Sequence, residues 1–441
     1  MHTERVHRLF KELSNKDFWI SINEINEEIV DLNTIEQPTK MVKLNILTQS
    51  IINYDTEVLS EAGSPLFLEY RPFFVSFIIY VDRRTDREYI SRIKEMGNSW
   101  YIASFKEHSG SGWYRFSGEL ETSASPVIYK KRHIYISDIT LSGINDLADK
   151  TYKISSPVND TEVCRRIHKL LEEVYFNKSR IYKIGNGNLI AIKGMKGKNT
   201  FQIMYDVGYH SRSNPGSKRS KYTGAILSFR RIKPDAVFLS HWDDDHIMGA
   251  AYGQKDLFEC PWFAPEIVKS NDTNARRLAR YLSQKGKLTI IERRTTDRRL
   301  CTITSDQSQI SLYLGINKKI AMQKTNTSIS KENCGGLIIE IKNDQKESVF
   351  CGDVPYDAVR SVLWDSRSDG YDILVVPHHG SKMDYTALKI KKNAKAIVSG
   401  NKSKKPGRPD RQHKEALEDN GNGYNVMITE DAKRSWIDVD L

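Results

Sequence analysis

Residues 235–249 read Asp-Ala-Val-Phe-Leu-Ser-His-Trp-Asp-Asp-Asp-His-Ile-Met-Gly, and no other stretch restricts the fold so sharply. Ala236 to Leu239 is a short apolar run, the pattern of a strand buried on both faces. It leads straight into His241, Asp243, Asp244, Asp245 and His246. Three carboxylates and two imidazoles within six residues are costly to desolvate at the end of a buried strand. A bound dication removes that cost, because carboxylate and neutral imidazole are both metal ligands. Alternate residues of an extended segment point the same way, so His241, Asp243 and Asp245 can converge on one ion while His246 serves a second beside it. A solvated acidic turn would account for neither the histidines nor the strand before them.

The same arrangement of apolar strand followed by polar cluster recurs along the chain. Gln202-Ile203-Met204-Tyr205-Asp206-Val207-Gly208 is a hydrophobic strand ending in an Asp-x-Gly turn, and Phe350-Cys351-Gly352-Asp353 is a strand ending in Gly-Asp. Asp372-Ile373-Leu374-Val375-Val376-Pro377-His378-His379-Gly380-Ser381 carries an apolar strand into paired histidines. Two further segments, Lys183-Ile184-Gly185-Asn186-Gly187-Asn188 and Asn333-Cys334-Gly335-Gly336-Leu337-Ile338-Ile339, set Gly/Asn turns beside apolar runs.

His241-Trp-Asp243-Asp-Asp245-His246 after an apolar strand resembles the metal motif of the metallo-β-lactamase superfamily, whose more usual form is HxHxDH. Asp243 in the third position resembles the subfamily of the DNA-uptake competence protein ComEC, whose soluble domain of this type acts as a nuclease. These strand-and-turn segments occur in that family's order. The resemblance implies an α/β fold, an αββα sandwich over residues 179–441, with the ligands gathered on one rim. It implies two divalent ions, manganese or zinc with magnesium as a further option, held by His241, Asp243, Asp245, His246, Asp353, His378 and His379. Asp353 would bridge the ions. Of His378 and His379, one would bind metal and the other would touch substrate or orient its neighbour, and sequence does not decide which. Asp245, His246 and His379 would carry the catalysis, with Asp206, Asn333 and Ser381 supporting them. The implied chemistry is phosphodiester hydrolysis by water activated between the two ions.

The departures from the family are specific. Lys183 and the asparagines after it stand where acids are common, Arg408-Pro409 stands where His-Pro is usual, and Asn333 stands where many members carry a ligand histidine. Oxygen ligands at 243 and 333 harden the site toward manganese or magnesium. The competence protein is a membrane channel, whereas no apolar run here reaches the roughly 18 residues of a span. The amino-terminal residues Met1-His2-Thr3-Glu4-Arg5 lack the apolar stretch of a secretion signal, so the expected compartment is the cytoplasm.

Net charge separates the substrate classes further. The chain carries +11 at neutral pH, which favours polyanions. Three basic segments adjoin the motifs, with Lys218, Arg219 and Lys221 in the first, Lys391 and Lys392 in the second, and Lys404, Lys405 and Arg408 in the third. They are the expected nucleic-acid contacts on the catalytic rim. The leading expectation is a nuclease, DNA favoured, serving DNA processing or defence against foreign DNA. The alternatives are a small-molecule hydrolase (a cyclic-nucleotide phosphodiesterase or lactonase) and a non-catalytic binding subunit with a degenerate metal site. The five cysteines are scattered without a CxxC, which argues against a disulfide framework or a thiolate zinc site.

Residues 1–178 differ in character. Val6, Leu9, Phe10 and Leu13 fall at helical spacing, and aromatic or β-branched runs at 73–80, 100–105, 113–116 and 133–136 predict an antiparallel sheet. Val163, Ile167, Leu170, Leu171 and Val174 predict an amphipathic helix between Thr161 and Phe176. This is a smaller α+β domain with no catalytic constellation: His7, His108, His133 and His168 stand alone. It is expected to recognise a partner protein or a DNA end, or to act as a support.

Overall fold

The structure is a computed structural model that describes residues 18–26, 39–48, 52, 75–82, 101–105, 114–122 and 132–140. It also describes residues 153–441 apart from 210–221, 268–272, 294–297, 306, 316–330, 344–345, 365–369, 387 and 402–407. By its contacts the chain forms two units, residues 1–155 with 269–286, and residues 156–268 with 287–441.

In the first unit the aromatic runs become strands. They are β1 (Phe18–Asn26), β2 (Thr39–Leu47), β3 (Val75–Asp82), β4 (Tyr101–Phe105), β5 (Tyr114–Thr122) and β6 (Arg132–Thr140). All neighbours are antiparallel, and the order β1-β2-β3-β5-β6-β4 closes into a barrel. Closure leaves no strand edge unpaired. The helix expected over Val6–Leu13 lies outside the described residues.

The second unit begins with helix α1 (Asp160–Leu171), capped by the Asn159 side chain. The predicted continuation of this helix to Phe176 does not occur. Glu173 takes a left-handed conformation (φ 63°), and Val174 opens strand β7 (Val174–Tyr182) instead. Val163, Ile167 and Leu171 of α1 are buried in the core of the second unit, which by its contacts takes in residues from 156 onward.

Two seven-stranded mixed sheets build this unit, as expected for the sandwich. The first contains β7, β8 (Leu189–Lys196), β9 (Asn199–Val207), β10 (Ala236–Phe238), β11 (Trp262–Pro265), β12 (Leu288–Ile291) and β20 (Trp436–Asp440), in the order β12-β11-β10-β9-β8-β7-β20. The second runs in sequence order through β13 (Arg298–Thr304), β14 (Ser308–Leu314), β15 (Leu337–Asn343), β16 (Glu347–Phe350), β17 (Ile373–Val375), β18 (Lys395–Val398) and β19 (Asn425–Ile428). Each sheet changes from antiparallel to parallel pairing, at β9 in one and β16 in the other. Alternation of side chains sorts the strands onto two faces. Ile203, Tyr205 and Phe238 of the first sheet share one core with Leu337, Ile339, Phe350 and Val375 of the second. Ile338, Val349, Leu374 and Val398 point away from it and pack with Tyr356 and Val359 of helix α2 (Tyr356–Val359) and Leu417 of helix α3 (Arg411–Glu418). Burying one such Leu, Ile or Phe side chain stabilises by about 1.5–3 kcal/mol. That interlocking holds the carboxyl ends of β9, β10, β16 and β17 at one seam. Among the described residues no helix is long and apolar enough to cross a membrane.

Candidate metal centre

Asp206, at the end of β9, organises the segment after β10. It sits at φ 60° and its side chain is fully buried. One carboxylate oxygen accepts the Ser240 backbone N–H (2.6 Å) and the other accepts the Ser240 hydroxyl (2.8 Å) and faces His246 Nδ1 (2.8 Å). A carboxylate only accepts, so His246 carries a proton on Nδ1. The Ser240 hydroxyl, already donating to Asp206, accepts from His241 Nδ1 at 3.0 Å. Each imidazole therefore turns Nε2 into the site, the pattern by which a carboxylate or hydroxyl orients a ligand histidine from behind. His379 does the same, with Nδ1 donating to the Ser399 carbonyl (3.1 Å). Close approach of the loops demands glycine at two places. A Cβ on Gly208 would lie 1.7 Å from the Asp245 carbonyl oxygen, and one on Gly352, itself at φ 56°, would lie 2.4 Å from Ser240 Cβ.

The inward atoms converge in two groups, His241, His246 and Asp353 in one, and Asp245, His246 and His379 in the other. Asp353 touches both sides. Its Oδ1 is 3.0 Å from His246 Nε2 and 3.7 Å from His379 Nε2, and its Oδ2 is 3.7 Å from His378 Nε2 and 4.0 Å from His241 Nε2. His379 Nε2 lies 3.1 Å from Asp245 Oδ2, and His241 Nε2 lies 3.4 Å from Asp243 Oδ2. Atoms bound about 2.0–2.2 Å from one tetrahedral ion stand roughly 3.3–3.6 Å apart, so these separations suit shared cations. All seven residues proposed as ligands from sequence come together here. Of the histidine pair, His379 joins the Asp245 group, and His378 faces the oxygen of Asp353 on the His241 side.

The donor set passes a stricter test of fit. With both imidazoles protonated on Nδ1 alone, His241 Nε2, His246 Nε2 and Asp353 Oδ1 are buried acceptors that face one another with no donor between them. Three orphaned polar atoms in one pocket cost free energy that a cation would offset. The electrostatics agree. Burial alone would push the His246 pKa down, but the carboxylates of Asp353, Asp206 and Asp245 outweigh it and hold His246 well above its usual range. Burial would likewise raise Asp353, yet His246, His378 and His379 draw it well below the carboxylate range, and His246 and His379 do the same more weakly for Asp245. His378 moves down, chiefly through burial. The pocket thus favours positive charge, which a proton or a dication can supply.

The supporting residues divide. Asp206 backs His246 directly. Asn333 is buried in the short helix Lys331–Cys334, and Gly336 just after it approaches the Ser240 carbonyl. Ser381 contributes through its backbone, with N–H donating to the His378 carbonyl at 2.8 Å, while its buried hydroxyl has no hydrogen-bond partner. Ser240 was missed by sequence reasoning. Its position directly before the first histidine of the motif was the available signal. His413 and Tyr356, which lie behind the ligand loops, were missed as well.

The expected nucleic-acid contacts fare differently. Lys218, Arg219, Lys221, Lys404 and Lys405 lie outside the described residues. Lys391 and Lys392 are not on the rim. Lys391 pairs with Asp372 at 2.9 Å, and Asp372 precedes β17 whereas the histidines come after it, so these lysines sit at the opposite strand ends. Arg408 does stay near the site. It is 8% exposed, its Cβ and carbonyl pack against Gly400, and its charge helps to lower the His378 pKa.

No family model and no curated protein matches the chain. Solved structures similar to it include YhfI of Bacillus subtilis, described as a metallo-β-lactamase fold protein. That likeness has 15% identity over 60% of this chain and 100% of that one, with a TM-score of 0.34. Another is CmlA, a diiron β-hydroxylase of Streptomyces venezuelae, with 12% identity over 74% of this chain and 62% of that one, and a TM-score of 0.26. These likenesses are distant, and the geometry of the metal centre stands without them.

Proposed function

We propose that the second unit is a metal-dependent hydrolase that cleaves phosphodiesters, with nucleic acid as substrate and DNA before RNA. The observation that carries this reading is the pair of ligand groups that share His246, with Asp353 reaching both sides and buried acceptor atoms facing one another across the pocket. Two divalent cations there, manganese or zinc, would supply water of lowered pKa and neutralise charge on a phosphate oxygen. The chain's own groups do the rest. Asp245, with a side chain 34% exposed, reaches both the pocket and solvent and orients the attacking water. His378, 30% exposed, and Arg408 beside it place positive charge where a phosphate would rest. The +11 net charge supports a polyanion, and the ComEC-like form of the motif supports a nuclease serving DNA processing or defence.

One observation favours a second reading. Among the described residues, Arg408 is the expected basic contact that lies near His378, and an arginine there also suits a small phosphodiester such as a cyclic nucleotide. Purified protein with manganese, given linear, circular and single-stranded DNA and a cyclic dinucleotide, separates the two. The Asp245→Ala/His246→Ala double variant is the control. DNA degradation by the wild type alone is expected; turnover of only the cyclic dinucleotide would replace the nuclease reading, and no turnover of any substrate would leave a binding subunit.

A further inference from the structure

The loop His378-His379-Gly380 runs through three consecutive left-handed residues, at φ 50°, 54° and 76°. For a non-glycine residue this conformation costs about 1–2 kcal/mol, so the two histidines stay in place only if the surroundings hold them. The holding contacts come from two directions. His378 N–H donates to the Gly352 carbonyl (3.1 Å), and Asp410 N–H donates to the Gly380 carbonyl (2.7 Å). The third contact is made by a side chain. His413, on the first turn of α3 and fully buried, points Nδ1 at the Ser381 carbonyl at 2.7 Å and Nε2 at the Tyr356 hydroxyl at 2.8 Å. A carbonyl only accepts, so His413 Nδ1 is the protonated nitrogen, and Nε2 accepts the Tyr356 O–H. Burial, only partly countered by the carbonyls of Ser381 and Gly380, pushes its pKa down to about 4, which leaves one donor and one acceptor to match the two partners. Tyr356 lies three residues beyond Asp353, and Ser381 lies two beyond His379.

We propose that His413 is a positioning residue for the metal centre, a buried brace that ties the loop of the shared carboxylate to the loop of the two histidines. This rests on the reading of the cluster as a metal centre. His413 touches none of the seven ligands. It acts by fixing the distance between Asp353 and the pair His378–His379, on which simultaneous coordination depends. Groups that orient ligands from behind are worth 10–100-fold in metal affinity, and this brace sets two ligand loops at once.

The test is manganese binding to the full chain by titration calorimetry, with metal content after dialysis and the thermal midpoint of the chelated protein measured alongside. His413→Phe, which keeps a ring and removes both nitrogens, is expected to bind about 10–100-fold more weakly than wild type. Tyr356→Phe, which removes one hydroxyl and keeps the Ser381 contact, is the milder variant should His413→Phe not fold, and a loss of roughly threefold to tenfold is expected. His413→Gln, which retains an N–H and a carbonyl, should recover most of the affinity lost in His413→Phe. Folded variants that all bind manganese as tightly as wild type overturn the brace and leave the metal centre intact. A wild type that takes up no metal overturns the metal centre and the brace with it.

Discussion

The two ligand groups around Asp353 are built to different standards. In the Asp245 group both imidazoles are fixed from behind, His246 by the Asp206 carboxylate and His379 by the Ser399 carbonyl, and their side chains are 0% and 3% exposed. In the other group His241 is equally buried but leans on a neutral hydroxyl, while the outer carboxylates are alike in exposure, Asp243 at 26% and Asp245 at 34%. Backing from behind raises ligand basicity and fixes geometry, so the difference lies in the imidazoles, with His246 braced by a charge and His241 by a neutral hydroxyl.

The largest effect should come from removing the carboxylate that reaches both sides of the pocket. Asp353→Ala is expected to abolish uptake of both ions and to lower hydrolysis by on the order of 10³-fold, since several kcal/mol of charge stabilisation depend on the metals. Metal content by mass spectrometry beside a cleavage rate checks this, and a variant retaining one ion at full occupancy would show that Asp353 does not bridge. Next, Asp206→Asn, which alters the backing of His246 directly and of His241 through Ser240, should weaken both steps of a manganese titration by roughly 10–100-fold. Unchanged binding at both steps would show that this carboxylate does not set the histidines. Asp243→Ala should act on one step alone and more mildly, by about tenfold.

The smallest effect concerns pH. The folded-state pKa of His246 is raised above its ordinary 6.5. In chelator its contribution to stability is therefore fully present below about pH 6.5 and is lost as pH rises through the raised value. Cation uptake needs the bare Nε2 and releases that proton, so the metal adds most where the proton has left. The rise in thermal midpoint on adding manganese is expected to be a few degrees larger near pH 8.5 than near pH 6. A rise independent of pH would mean that His246 is not a ligand. Asp353, whose pKa is depressed, loses its contribution only in acid below this window.

Much of this was legible in the sequence because strand and ligand are adjacent in the chain. Ala236–Leu239 and His241–His246 announce a buried strand and its metal cluster within a few residues, and the runs ending at Asp353 and at His378-His379 repeat the message. What was not legible depends on partners far apart in sequence. Nothing near Ser240 says that it accepts from His241 while donating to Asp206, and the link from His413 to Tyr356 spans 57 residues. Lys391 and Lys392 misled for the same reason. They are close in sequence to the histidine motif, but the chain must travel back to the start of β18 before rejoining the sheet, which leaves them at the wrong end. The same holds for α1, whose sequence shows an apolar stripe without revealing which core receives it.

Asp206 and the His241–His246 segment belong to the first sheet, and Asp353, His378 and His379 to the second, so the cluster straddles a seam between layers that are each formed from different parts of the chain. Neither sheet alone can present a complete ligand set, and the first sheet is itself unfinished until β20, at the carboxyl end, pairs with β7. A complete ligand set therefore exists only once both sheets have formed and packed, and long-range pairings of this kind form slowly. Metal uptake would then report the packing of the two sheets.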